Sequence, residues 1–202
     1  MTTQIANDTE LSAINSILGS IGQSPITQIE FTNPEISFIY NIFEEVTKDV
    51  QNEGWHFNKE DHVEVSPNSD GNFIVPTNYL RFDVHDGLYD RTKDVVIRNG
   101  KLYDKVEHTD VFTDKLYFDI TYLFSFTDLP PVVQRYIIAK ASVRAATQLV
   151  SNPELVKLLQ TQEEQTRTSA LEYDCEQGDH SFFGLPDGSS YRSYQPYKAI
   201  IR

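Results

Sequence analysis

The chain has 202 residues, 39% hydrophobic and 12% aromatic, a composition that supports a packed core and excludes wholesale disorder. Seventeen lysines and arginines stand against thirty aspartates and glutamates, a net charge of -13. A chain this acidic repels nucleic acid unless its cations gather on one face, and in sequence they do not.

No stretch of about 18 uninterrupted apolar residues exists, so a membrane span is not expected. Met1 to Glu10 has neither the basic nor the apolar region of a signal peptide. The single cysteine, Cys175, excludes an internal disulfide framework and a cysteine-based zinc site.

In chain order, the first periodic segment is Leu11, Ile14, Ile17, Leu18 and Ile21, one face of a helix. Asp8 or Thr9 suits its N-cap and Gly22 its C′ position. Asn33-Pro34-Glu35 starts a second helix: Asn33 as cap, Pro34 where a missing N–H costs nothing, Glu35 at the positive end of the dipole. Its stripe is Ile36, Ile39, Tyr40, Phe43, Val46 and Val50, and Gly54 closes it.

From about His62 the period becomes two. His62-Val63-Glu64-Val65, Phe73-Ile74-Val75, Tyr79 to Val84 and Lys115 to Phe126 read as strands, with a turn over Pro67 to Gly71. Val95 to Tyr103 reads as a hairpin, because Asn99-Gly100 supplies the two positive-φ positions of a type I′ turn. Five or six short strands in this span predict a small antiparallel sheet or sandwich.

Helix resumes after Leu129-Pro130-Pro131, with Val133, Tyr136, Ile137, Ala141 and Ala145 along one side, and stops near Ser151. Asn152-Pro153-Glu154 repeats the capping chemistry of Asn33 and starts a fourth helix from Leu155 to about Cys175, polar in its middle. After Gly178 no period survives, yet Phe182, Phe183, Tyr191, Tyr194 and Tyr197 are large, so an extended arm that binds a partner or its own domain is expected.

The predicted fold class is therefore α+β: an antiparallel bundle of about four helices with a small antiparallel β domain inserted between helices 2 and 3. Residues 1–57 and 127–177 form the discontinuous helical domain, 58–126 the β insertion and 178–202 the arm.

The search for chemistry finds no catalytic constellation. His56, His62, His85, His108 and His180 form no HxxxH or HxxEH pair. No GxSxG, Walker loop or GxGxxG is present, so no catalytic, metal or cofactor-binding residues are assigned and no cofactor is expected.

Glu44-Glu45 and Glu163-Glu164 are neighbours in helices, pointing roughly 100° apart, and read as solvated faces. Asp83, Asp86, Asp90 and Asp94 lack the order of a calcium loop. Cys175 reads as a structural thiol. Trp55, within Gly54-Trp55-His56-Phe57, reads as a core anchor at the structural junction formed with Gly54 and Phe57.

Several segments resemble the tail tubular protein A family, the adaptor or gatekeeper proteins of short-tailed bacteriophages. They are Glu10 to Gly22 followed by Pro25, Gly54-Trp55-His56-Phe57-Asn58, and Gly100-Lys101-Leu102-Tyr103-Asp104. Leu129-Pro130 with Tyr136-Ile137 and Lys140-Ala141-Ser142, Pro153-Glu154 leading into Leu159-Gln160, and Glu172-Tyr173 complete the set. The likeness runs from about residue 10 to 175; residues 63–95 and the arm match poorly.

The resemblance implies a non-enzymatic virion protein, made in the bacterial host cytoplasm. It implies a dodecameric head-to-tail ring between the portal and the nozzle, tail tubular protein B, with tail fibres attached around the junction. Genomic DNA would pass through without specific binding, and no membrane is involved. An alternative is a tail-associated carbohydrate hydrolase, which needs two carboxylates about 5–10 Å apart in an aromatic cleft.

Overall fold

A computed structural model describes residues 9–84 and 93–178. Four helices run α1 (Glu10–Ser20), α2 (Pro34–Gln51), α3 (Pro131–Ala145) and α4 (Pro153–Gly178). Five strands lie between α2 and α3: β1 (Lys59–Val65), β2 (Tyr79–Val84), β3 (Val95–Arg98), β4 (Lys101–Asp104) and β5 (Leu116–Tyr122). The class is α+β, with small antiparallel sheets between the second and third helices. The chain divides into two compact units: one holds the described residues up to Phe43 and from Leu129 onward, the other Glu44–Asp128.

The helical unit is defined by its ends. Thr9 caps α1, its hydroxyl accepting from the Ser12 N–H at 3.2 Å. At the other end Gly22 adopts φ +81°, and the N–H groups of Gly22 and Gln23 donate to the carbonyls of Gly19 and Leu18. That pair of bonds is a Schellman stop, which needs the left-handed residue glycine provides. The side chain of Asn33 accepts from the Glu35 N–H at 3.0 Å, and that of Asn152 from the N–H groups of Glu154 and Leu155. Both Asn-Pro starts therefore work by the same cap.

Helix α3 packs against α1 and α4. Ala13, Ile14, Ile17 and Leu18 of α1 and Val133, Tyr136, Ile137, Ala141 and Ala145 of α3 are buried. Helix α4 buries little of its length, chiefly Leu159 and Ala170. A polar tie supplements that thin contact: the Tyr136 hydroxyl accepts from Arg167 at 2.7 Å and from Lys140 at 3.3 Å. Between α3 and α4 the backbone widens into a π turn, Ala146–Val150, and reverses at Ser151, φ +54°.

The β unit holds two sheets. The three-stranded sheet has order β1-β5-β2, and the two-stranded sheet is the hairpin β3-β4; all pairs are antiparallel. Asn99 and Gly100 take φ +53° and +73°, as the type I′ turn requires, and Arg98 pairs with Lys101.

The segment predicted as a strand at Phe73-Ile74-Val75 is reduced to one bridge, Ile74 to Lys101. The Asn68–Gly71 turn and Pro76 leave it too short to extend. β1 carries a bulge at Asp61-His62, where His62 takes φ +62°, donates its N–H to Asp119 and stacks its ring on Tyr117 at 4.2 Å. The core of the unit is Phe73, Val95, Leu102, Phe112, Phe118 and Ile120. Phe118 stacks on Phe82 at 4.2 Å and meets the edge of Phe73 at 5.4 Å.

Candidate functional site

The junction picked out by sequence, Gly54, Trp55 and Phe57, lies within the β unit. Gly54 takes φ +83° three residues after α2 ends at Gln51. Trp55 is 3% exposed, and its indole N–H donates to the Val50 carbonyl at 2.7 Å. Phe57 is half-buried.

The residues that organise the place are two amides the sequence reading passed over. Gln51, fully buried, grips residue 124 at both ends: its Nε2 donates to the Phe124 carbonyl at 3.0 Å, and its Oε1 accepts the Phe124 N–H at 2.8 Å. Asn58, 1% exposed, donates to the carbonyls of Gln51 and Tyr122, each at 2.9 Å, and accepts the Trp55 N–H at 2.8 Å. Two buried amides thus satisfy backbone groups at the end of α2, at the last residue of β5 and just beyond it. The available signal was Asn58 in the Gly-Trp-His-Phe-Asn segment; a glutamine in the last helical turn gives none.

A third buried polar residue stands at the end of the hairpin. Asp104 is 0% exposed, and its Oδ1 accepts the Val106 N–H at 2.7 Å, fixing the turn that follows β4. Its Oδ2 has no partner among the described residues.

Five ion pairs lie on the surface among the described residues: Lys48–Glu44, Lys59–Asp61, Lys93–Glu107, Lys105–Asp94 and Lys115–Glu64. The hydrogen bonds from Lys115 and Tyr117 hold the Glu64 carboxyl below its ordinary range, and Glu64 in turn raises the ammonium of Lys115. Burial, with the charge of Glu60 beside it, pushes Tyr122 up to about 12.

Of the acidic loop, Asp94 pairs with Lys105, Asp83 accepts the Val84 N–H, and Asp86 and Asp90 lie outside the described residues. Among the described residues no group of three or more His, Cys, Asp or Glu is placed to hold a metal. Cys175 is exposed, where the sequence reading favoured a structural thiol.

Exposed apolar side chains mark surfaces rather than a cleft. Phe31, Phe38, Leu149, Val150, Leu158 and Leu171 are exposed on the helical unit, and Ile74, Ile97, Val106 and Val111 on the β unit. The expected partner-binding residues Phe182, Phe183, Tyr191, Tyr194 and Tyr197, and the arm of residues 178–202 beyond Gly178, lie outside the described residues. No described helix is long and apolar enough to cross a membrane.

Helices carrying an inserted β unit, with apolar side chains exposed on both units, suit the class of proteins that assemble with others. The model of the tail tubular protein family matches residues 11–180, and the chain belongs to that family: it is a structural component of a phage tail, and so of the virion. No curated protein sequence matches the chain.

Proposed function

We propose that this tail protein is the adaptor that joins the portal to the tail nozzle as a dodecameric ring, and that it acts without catalysis. Family membership over residues 11–180 carries the reading. It is supported by the segments Glu10 to Gly22 and Gly54 to Asn58, which resemble the adaptor branch of the family. In this reading the tail fibres anchor around the ring and the genome leaves through its channel. Each copy brings a net charge of -13, and acidic walls let phosphates slide by without sticking. The aromatic residues Phe182, Phe183, Tyr191, Tyr194 and Tyr197 are proposed to dock on the portal or on a neighbouring subunit.

The test is to mix purified protein with the portal ring of its phage and measure mass by light scattering after size exclusion. A complex with one copy per portal subunit is expected, and truncation after Gln177 is expected to weaken it. A monomer that never associates with the portal overturns the adaptor reading.

A further inference from the structure

The helical unit carries a groove between α3 and α4, flanked by α1. Two adjoining depressions, of about 480 and 190 Å³, share Arg135, Gln165 and Thr166 in their walls. The hydroxyls of Ser16, Ser142 and Thr166 already donate to carbonyls of their own helices, at 2.9, 2.8 and 3.0 Å. Ser20 likewise donates to the Ile17 carbonyl at 2.6 Å. The donors left for a visitor are the Arg135 guanidinium, the amides of Gln162 and Gln165 and the Ser169 hydroxyl, and among the described residues no carboxylate lines either depression.

Arg135 is unusual in this molecule. Among the described lysines and arginines, every one but Arg135 and Lys157 is engaged: by a carboxylate, as Lys48, Lys59, Lys93, Lys105 and Lys115 are, or by an amide, a ring or another charged or polar neighbour. Lys157 stands exposed on α4, outside the groove lining. Acidic residues outnumber basic ones thirty to seventeen, so an unpaired guanidinium in a cleft does not reflect a shortage of carboxylates. A guanidinium flanked by amide donors matches a carboxylate in shape and charge.

Copies of a chain this acidic repel one another wherever their cations are already neutralised, and in this groove an incoming carboxylate meets a guanidinium with no partner among the described residues, flanked by amide donors that the exposed Lys157 lacks in either depression. We propose that the Arg135 groove receives an aspartate or glutamate of the next copy of this chain, so that each subunit grips its neighbour there. The proposal rests on the ring reading above.

The experiment assembles full-length Arg135→Lys subunits on the portal ring, from an equal mixture of ¹⁴N- and ¹⁵N-labelled protein. A carbodiimide then joins the new amine to any carboxylate within ion-pair reach, and mass spectrometry reads the linked peptides. Mixed-isotope pairs joining position 135 to an Asp or Glu of another copy are expected. Links within one copy only, links only to the portal, or no link at position 135 overturn the proposal.

In parallel, Arg135→Glu is expected to weaken ring assembly on the order of tenfold or more, with an unchanged thermal midpoint because Arg135 is exposed and holds no described partner. A ring that Arg135→Glu leaves intact removes the groove and spares the ring reading. Wild-type protein that forms no ring removes the ring reading itself.

Discussion

Each unit of the molecule uses one carboxamide to hold a loop by both backbone groups, and the two clamps differ in reach. In the helical unit, Asn15 donates to the Ile26 carbonyl at 2.9 Å and accepts the Ile26 N–H at 2.7 Å, across eleven residues of sequence. In the β unit, Gln51 does the same to Phe124 across seventy-three. The chemistry is identical, but the first clamp trims a turn while the second joins the two ends of a unit. Local capping and spacing define the helical elements; contacts distant in sequence define the β unit. The two units should therefore fail differently.

The largest break is expected from Phe118→Ala. The ring is 0% exposed at the centre of the β core, and its loss is expected to cost about 3–5 kcal/mol through lost transfer energy and a residual cavity. Hydrogen exchange read by peptide checks the comparison: protection should fall across residues 59–122 and persist in α3. Equal loss in both would show that the two units unfold as one.

Gln51→Ala comes next, at about 2–4 kcal/mol, because it removes two hydrogen bonds at a buried site and strands the polar groups of Phe124. The matched Asn15→Ala is expected to cost roughly 1–2 kcal/mol, since Asn15 is itself only half-buried where Gln51 is fully buried, so water can replace its bonds. Urea denaturation of both variants ranks them; a larger loss from Asn15→Ala would invert the comparison. Asn152→Ala, which removes the cap of α4, is expected to cost about 1 kcal/mol and to fray the first turn of that helix in exchange measurements.

The smallest effect is a matter of pH. Tyr122 has an ordinary value of 10.0, raised to about 12 in the fold. Between those values the unfolded chain loses the phenolic proton and the folded chain keeps it. Stability from this group is thus full below pH 10 and declines as the pH rises through about 12. Thermal melts of wild type and Tyr122→Phe at pH 9 and 11.5 should show the wild type losing ground to the variant on the alkaline side. A constant gap between them would mean that Tyr122 titrates alike in both states.

What was legible in the sequence follows the same division. The Asn-Pro starts, the glycine stop at Gly22 and the Asn99-Gly100 turn are chemistry within four or five residues, and each appears where the residues place it. The three-residue run at Phe73 read as a strand because its apolar character is real; it serves the core while Pro76 and the preceding turn deny it a ladder. Phe112 lies in a polar loop, yet it meets Phe73 at 5.0 Å in the core, a placement no local pattern carries. Gln51 and Asn58 looked like ordinary polar residues because their partners lie across the fold. Arg135 gave no signal either, since its distinction is the absence of a described partner rather than the presence of a motif.

The strand order β1-β5-β2 has a consequence for how the protein is made. β1 and β2 do not pair with each other; both hydrogen-bond to β5, whose residues pair from Lys59↔Thr121 on one side to Tyr79↔Tyr122 on the other. On the ribosome, the β3-β4 hairpin can close as soon as it emerges. The three-stranded sheet must wait until residue 122 has cleared the exit tunnel, holding β1 and β2 as open edges in the meantime. The charges and the bulge on β1, with Lys59, Glu60, Asp61 and Glu64 along its length, are features that disfavour pairing with another chain, and they are in place from the moment β1 emerges, before the central strand has been synthesised.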